Sequence, residues 1–326
     1  MSKLKNFLFV TLVGLLVSSC DKDDDNNPVV TVTVPSQLSV SNAQFFPEDV
    51  VVHDNKDYVS GFGDGSIQKF DLTQSTATAQ QIATAENSTY SASWGLNVDA
   101  SKSTLLNIAN APYFFNGSVA APAKVNAYKL SDNSKVSSWT LPTGTVGNSI
   151  VVANGFYYIG DIGPTTRIIK LNPNDGSTTI KTDAQWSNGF GFGGMIYANN
   201  GIYGVHGGKM WYIPVASNGD LGTVSEVTGI SNVFADGMTW AGNNTIYYCQ
   251  NDAQDPANVG IVWKVTLTSN TAATATQASI PNNGSLNNPS GIFYKEINNK
   301  KYLFVNESQI FNTPTTPFKV NIHEIN

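Results

Sequence analysis

A single pattern returns six times along this chain: a short lead-in, an apolar strand, a tight turn, an aromatic-rich strand, a loop and a strand ending near Leu or Val. The first copy reads 47-PEDVVVHDNKDYVSGFGDGSIQKFDL-72, and the second 94-WGLNVDASKSTLLNIAN-110 with 125-VNAYKL-130. The third is 146-VGNSIVVANGFYYIGDIGPTTRIIKLNP-173 and the fourth 192-FGGMIYANNGIYGVHGGKMWYIPV-215. The fifth joins 235-ADGMTWAGNNTIYYCQ-250 to 260-GIVWKVTL-267, and the sixth joins 289-PSGIFYKEINNKKYLFVNES-308 to 318-FKVNIHEI-325. Copies lie roughly 45 to 55 residues apart, the length of a four-stranded blade. Asp54-Asn55-Lys56-Asp57, Ala153-Asn154-Gly155 and Asn199-Asn200-Gly201 are hairpin signals at matching places. The period predicts an all-β chain folded as a six-bladed β-propeller over residues 35–326. A large sandwich or a β-helix is the competing reading.

The sixth copy runs out after three strands, at Asn326, and a blade needs four. The segment 37-QLSVSN-42 is free at the other end and is predicted to close the ring, since an unpaired edge would otherwise be exposed. Composition agrees with this architecture. Charged residues make up only 13%, glycines number 28, and no segment shows a helical period.

The residues before the repeat read as an address. In 1-MSKLKNFLFVTLVGLLVSSC-20, Lys3 and Lys5 precede the apolar run Phe7 to Val17, too short to span a bilayer. Val17-Ser18-Ser19-Cys20 resembles a bacterial lipobox, which implies a signal peptide over residues 1–19 and a lipidated Cys20. The acidic run 21-DKDDDNN-27 reads as a solvated tether within residues 20–34. It also resembles the signal that sends Bacteroidetes-type lipoproteins to the cell surface. The expected location is therefore the outer membrane, exposed to the outside, with a periplasmic face as the alternative. Several acyl chains on Cys20 would hold the protein to the membrane stably.

The chain carries a net charge of −6, and losing residues 1–19 would make it two units more negative. No Lys/Arg cluster occurs, so nucleic acid is excluded as a partner. With Cys20 lipidated, Cys249 has no disulfide partner, and its place in 246-IYYCQ-250 reads as a small buried strand residue. A monomer that binds a small molecule is the expected state.

Blade topology sorts the loops. The lead-in to the first strand and the connection between the second and third lie on one face. Glu48, Trp94, Asn148, Gly193, Asp236 and Ser290 should ring the channel mouth there, with Asp64, Asn110, Asp161, His206, Asp252 and Glu307 nearby. Three long loops share that face: 107–124, 250–260 and 306–317. They supply Tyr113, Phe114, Phe115 and Phe311 as a candidate ligand-binding lip, joined by Asp252 and His206, the last read as an exposed loop histidine. Trp211, Trp240 and Trp263 read as equivalent inter-blade packing residues.

The lead-ins resemble those of the gluconolactonase and senescence-marker-protein (regucalcin-like) propellers. That resemblance implies a metal-ligand role for Glu48 of Pro47-Glu48-Asp49 and for Asp236 of Ala235-Asp236-Gly237-Met238. It implies a metal- or substrate-holding role for Asn148 of 147-GNSIVV-152, and an aspartate, Asp236, that doubles as general base. It breaks in blade four, where Gly193-Gly194-Met195 replaces an asparagine ligand. Asn188 or His206 would have to substitute. The implied cofactor is one divalent cation, Ca²⁺, Mg²⁺, Mn²⁺ or Zn²⁺, which would polarise a lactone carbonyl and acidify a bound water. Read without the resemblance, Glu48 is a pairing residue at the ring closure, Asp236 a turn former and Asn148 a loop residue.

The short ligand set favours a binding lipoprotein over an enzyme. A divalent-metal-dependent hydrolase of lactones or related esters is the alternative, and a surface scaffold for protein partners a third reading. No Gly-x-Ser-x-Gly elbow occurs, and three scattered histidines argue against haem or a His/Cys zinc site.

Overall fold

The computed structural model describes residues 32–111, 119–186, 191–251 and 260–326, and every regular element among them is a β-strand. Strand β1 (Gln37–Val40) precedes blade one, which is β2 (Pro47–His53), β3 (Lys56–Gly61), β4 (Ile67–Asp71) and β5 (Gln80–Ala83). Blade two is β6 (Ala92–Asp99), β7 (Thr104–Asn110), β8 (Lys124–Lys129) and β9 (Lys135–Thr140). Blade three is β10 (Gly147–Ala153), β11 (Phe156–Asp161), β12 (Arg167–Leu171) and β13 (Thr178–Lys181). Blade four is β14 (Met195–Ala198), β15 (Gly201–His206), β16 (Lys209–Pro214) and β17 (Ser225–Glu226). Blade five is β18 (Met238–Trp240), β19 (Thr245–Gln250), β20 (Ile261–Ser269) and β21 (Ala272–Gln277). Blade six is β22 (Pro289–Ile297), β23 (Lys300–Glu307) and β24 (Phe318–Ile325), completed by β1. The fold is a six-bladed β-propeller of antiparallel four-stranded sheets.

Ring closure follows the register expected of an otherwise bare edge. Gln37 lies opposite Asn321 and Val40 opposite Phe318, and Leu38 and Val40 are buried. Packing on the propeller extends back to Val32, whose carbonyl accepts from Asn298. The inner hairpins turn on residues that tolerate positive φ: Asp54 and Asn55 (46° and 56°), Asn199 and Asn200, Asn243 and Asn244, Asn298 and Asn299.

The core lies between blades. Val50, Leu96, Ile150, Met195, Met238 and Ile292 occupy one step of the six inner strands, and all are buried. One step earlier stand Gly95, Gly194, Gly237 and Gly291. A Cβ at any of these four would lie within 3 Å of the lead-in carbonyl oxygen of the following blade, respectively Asn148, Asp236, Ser290 and Glu48. The inner strands converge here too closely for a side chain aimed that way. Blades one and three place Asp49 and Ser149 at this step instead.

Two expectations need correction. Trp211 and Trp263 sit on third strands, β16 and β20, but Trp240 ends a first strand, β18, and so is not their equivalent. Trp94 does not face the channel mouth. It is 1% exposed and packs on Phe62 with ring centroids 5.3 Å apart, because a large apolar ring gains more between blades than in water.

Candidate functional site

The inner strands of all six blades line a central cavity of about 270 Å³. At its lead-in end stand Glu48, Asp49, Asn148, Asp236 and Ser290. In blades one, three and six the first residues of the inner strand bulge: pairing with the second strand slips between Pro47 and Val50, between Gly147 and Ser149, and between Pro289 and Ile292. Asp236 stands just ahead of β18, its N–H donating to the Cys249 carbonyl.

Asp236 accepts from Asn251 Nδ2 at 2.9 Å and from the Asn148 amide. Burial raises its carboxyl to about 6, and those two donors hold it from going higher. Burial raises Asp49 to about 7, opposed by the Leu96 and Val50 N–H groups and reinforced by Asp236. One Asp49 oxygen accepts from Val50 and the other crosses to blade two, accepting from Leu96, each at 2.8 Å. Glu48 is pushed well above the usual carboxylate range by burial, then by Asp236 and by Asp49. The structure thus brings Glu48, Asn148 and Asp236 together across the ring, and adds Asp49.

Sequence reading missed Asp49. The signal was present: aligning the lead-ins puts this aspartate where four other blades have glycine. It also missed the far end of the cavity. Two steps beyond the buried packing position, Tyr197, Trp240 and Tyr294 line the channel from consecutive blades, with Phe293 beside them. Val52, Val98 and Val152 hold that step in blades one to three, and of these Val152 lines the cavity.

The remaining candidates lie elsewhere. His206 is not an exposed loop residue. It ends β15 at 4% exposure, with Nδ1 3.2 Å from the Gly191 carbonyl and its ring 5.7 Å from Phe192, and it is not among the cavity's lining residues. Phe311 is 55% exposed on the 306–317 connection, also outside the cavity lining. Tyr113, Phe114, Phe115, Asp252, Asn188 and Cys20 lie outside the described residues.

Residues expected around the mouth from the second-third connections serve the framework instead. Asn110 exchanges two hydrogen bonds with the Gly147 backbone, locking blade two to blade three. Asp161 accepts from Val146, Gly163 and Arg167. Asp64 is held by Ser66 and Asn42, and Glu307 by Asn321. Cys249 is buried, accepts from Gly237 N–H and donates to the Ser290 carbonyl at 2.9 Å, and burial pushes its thiol well up. That is a structural thiol.

Among the described residues no three His, Cys, Asp or Glu side chains are grouped so as to hold a metal ion. The oxygen set Glu48, Asn148 and Asp236 suits a hard cation in donor type. It is short in number, since Gly193 in blade four offers no side-chain oxygen.

No protein-family model and no curated protein sequence matches this chain. Solved structures do match it. The major allergen Mala s 1 of Malassezia sympodialis is similar with a TM-score of 0.65 at 13% identity, over 89% of this chain and 96% of its own. An auxiliary nutrient binding protein from Bacteroides thetaiotaomicron gives 0.59 at 14%, over 85% and 69%. A luciferin-regenerating enzyme gives 0.57 at 10%, over 89% and 94%. At such identities the likeness speaks for the fold alone, which hosts binders and enzymes alike.

Proposed function

We propose that this protein captures a small molecule in its central channel, at the end where Glu48, Asp49, Asn148 and Asp236 converge. One observation carries the reading: three acidic side chains, all raised by burial, share one cavity large enough for a small ligand. Burying three carboxyl groups together opposes folding, and a ligand that donates to them returns what desolvation removed. The nutrient binding protein with the same fold supports this reading by analogy. A lipid on Cys20 would hold the propeller at the outer membrane, on the cell surface, as a monomer; the tether expected over residues 20–34 would be shorter at its end, where Val32 and Val34 pack on the propeller.

A panel of sugars, amino acids, amines and lactones, scored by the shift in melting temperature, tests the proposal. Shifts that disappear in Asp236→Asn are expected. A panel without any shift, or one whose shifts survive the substitution, contradicts it.

The meeting of Glu48, Asn148 and Asp236 keeps a gluconolactonase-like, metal-dependent hydrolase as the second reading. These three would hold a divalent cation, with waters completing its shell. When bound, such an ion polarises a carbonyl and acidifies water. Asp236 would be the side chain placed to take a proton, and Asn148 would orient the substrate. Calorimetric titration of Ca²⁺, Mg²⁺, Mn²⁺ and Zn²⁺ into chelator-stripped protein decides: binding abolished by Asp236→Ala supports this reading, and no binding removes it.

A further inference from the structure

Building on the reading of the channel as a ligand site, we infer that its ligand is a small organic cation: a protonated amine among Glu48, Asp49 and Asp236, with an apolar body extending toward Tyr197, Trp240 and Tyr294.

Charge gives the first argument. The lining contains three acidic side chains and no Lys, Arg or His. In their ionised form these acids repel an anion, and a neutral molecule leaves their charge uncompensated. A cation is the one charge class that the lining rewards.

Geometry gives the second. The Glu48 carboxyl makes no hydrogen bond among the described residues, and each Asp49 carboxyl oxygen accepts a single backbone bond. The three acids share one cavity with no hydrogen bond between them, and no three of them are grouped for a metal ion. Calcium draws its oxygens to about 2.4 Å, which crowds the ligands together. An ammonium directs three N–H bonds of about 2.8 Å apart from one another, and so suits acceptors that are more widely spread.

The adjoining wall has capacity to spare. Asn306 is fully buried, and both its amide nitrogen and its amide oxygen lack a partner. A Cβ built on Gly291 would lie 2.8 Å from Asn306 Nδ2, and equally 2.8 Å from the Glu48 carbonyl and the Asp49 Cα, so this amide borders the acidic step. A buried amide with nothing to bond calls for a polar occupant or water in its neighbourhood.

The aromatic arc gives the last argument and sets the ligand's length. Asp236 lies just ahead of β18 and Trp240 ends it four residues on, a reach of at most about 13 Å for extended chain. An ammonium hydrogen-bonded at one end and a ring stacked at the other is spanned by a four-carbon linker. Three aromatic side chains on blades four to six, facing Val51, Asn97 and Val152 of blades one to three, offer a one-sided wall for a flat or apolar group.

The test is calorimetric titration of three nearly isosteric probes into the full propeller in the presence of a chelator: 4-phenylbutylamine, 4-phenylbutanol and 4-phenylbutyrate. The amine is expected to bind at least tenfold more tightly than the alcohol, and the carboxylate not at all. Glu48→Gln and Asp236→Asn should each weaken the amine about tenfold and leave the alcohol unchanged, while Trp240→Ala weakens both. Two substitutions at the acidic end guard against one that unfolds, each checked by its melting temperature. Equal affinity for amine and alcohol, preference for the carboxylate, or amine binding untouched in both acid variants overturns the assignment. If sugars or lactones shift the melting temperature while the amine does not bind, the cation falls and capture in the channel stands. Silence from panel and probes alike overturns both.

Discussion

The two ends of the central channel are built by the same six strands, yet they differ in kind. At the lead-in end the side chains change from blade to blade: Glu48, Trp94, Asn148, Gly193, Asp236, Ser290. At the far end they divide in two, with valines on blades one to three and aromatic residues on blades four to six. Between the ends, the packing step is apolar and buried in every blade. A ring of repeats needs its packing step uniform, because each blade meets its neighbour in the same way. It has no such need at the rims. Departure from the repeat therefore marks positions where packing leaves a choice. Trp94 uses it for inter-blade packing, whereas Glu48, Asn148, Asp236 and Ser290 at one end and the three aromatic residues at the other line the cavity.

The sharpest way to break this comparison is at the glycines beneath the acidic end. Gly237→Ala would press a methyl group onto the Ser290 carbonyl, and the blades would have to part. Overpacking of this kind costs about 1–3 kcal/mol. Urea denaturation should show that loss, and an unchanged midpoint would mean that the blades are not in close contact at this step.

Next in size is the response to pH. The folded-state values of Asp49 and Asp236, about 7 and about 6, stand above the ordinary 3.8. The folded protein therefore holds more protons than the unfolded chain between about pH 4 and 7. Their burial has no effect below the unfolded value. Its destabilising effect grows as pH rises and is complete above the folded values. Stability should thus increase on acidification from pH 7.5 to 5, by about 1–2 kcal/mol after allowance for water in the channel. Asp49→Asn with Asp236→Asn should flatten that slope. A stability that falls over the same interval in the wild type would contradict the account.

The smallest effect belongs to the far end. Tyr294→Phe removes a hydroxyl that donates to the exposed Glu296, and should change stability by less than about 0.5 kcal/mol. Its pH profile should overlay that of the wild type. A steepened or flattened slope would show the two ends to be coupled.

Much of the fold was legible because its signals are local. Five of the six inner hairpins carry Asn or Asp where φ is positive, with Ser103 in blade two the exception, and the bare edge of the last unit pointed to Gln37–Val40. Glu48, Asn148 and Asp236 were legible as lead-ins. Asp49 was not, since next to Glu48 it reads as one more surface acid, and its role depends on the glycine that its counterparts share. The aromatic arc was hidden for a similar reason: each strand contributes one ring, and only the closed ring of blades sets them side by side. Trp94 and His206 were misplaced because a bulge or strand end can turn a side chain either into the channel or between blades. Burial of the ring decided both cases.

The most direct measurement is a carboxyl carbon NMR titration of the ligand-free protein, with Asp49 and Asp236 assigned through their Asn variants. Midpoints near 7 and 6 are predicted, both falling when an amine that fills the channel is added. Midpoints near 4 for both, unmoved by amine, would show two ordinary solvated acids and contradict the site at the centre of this account.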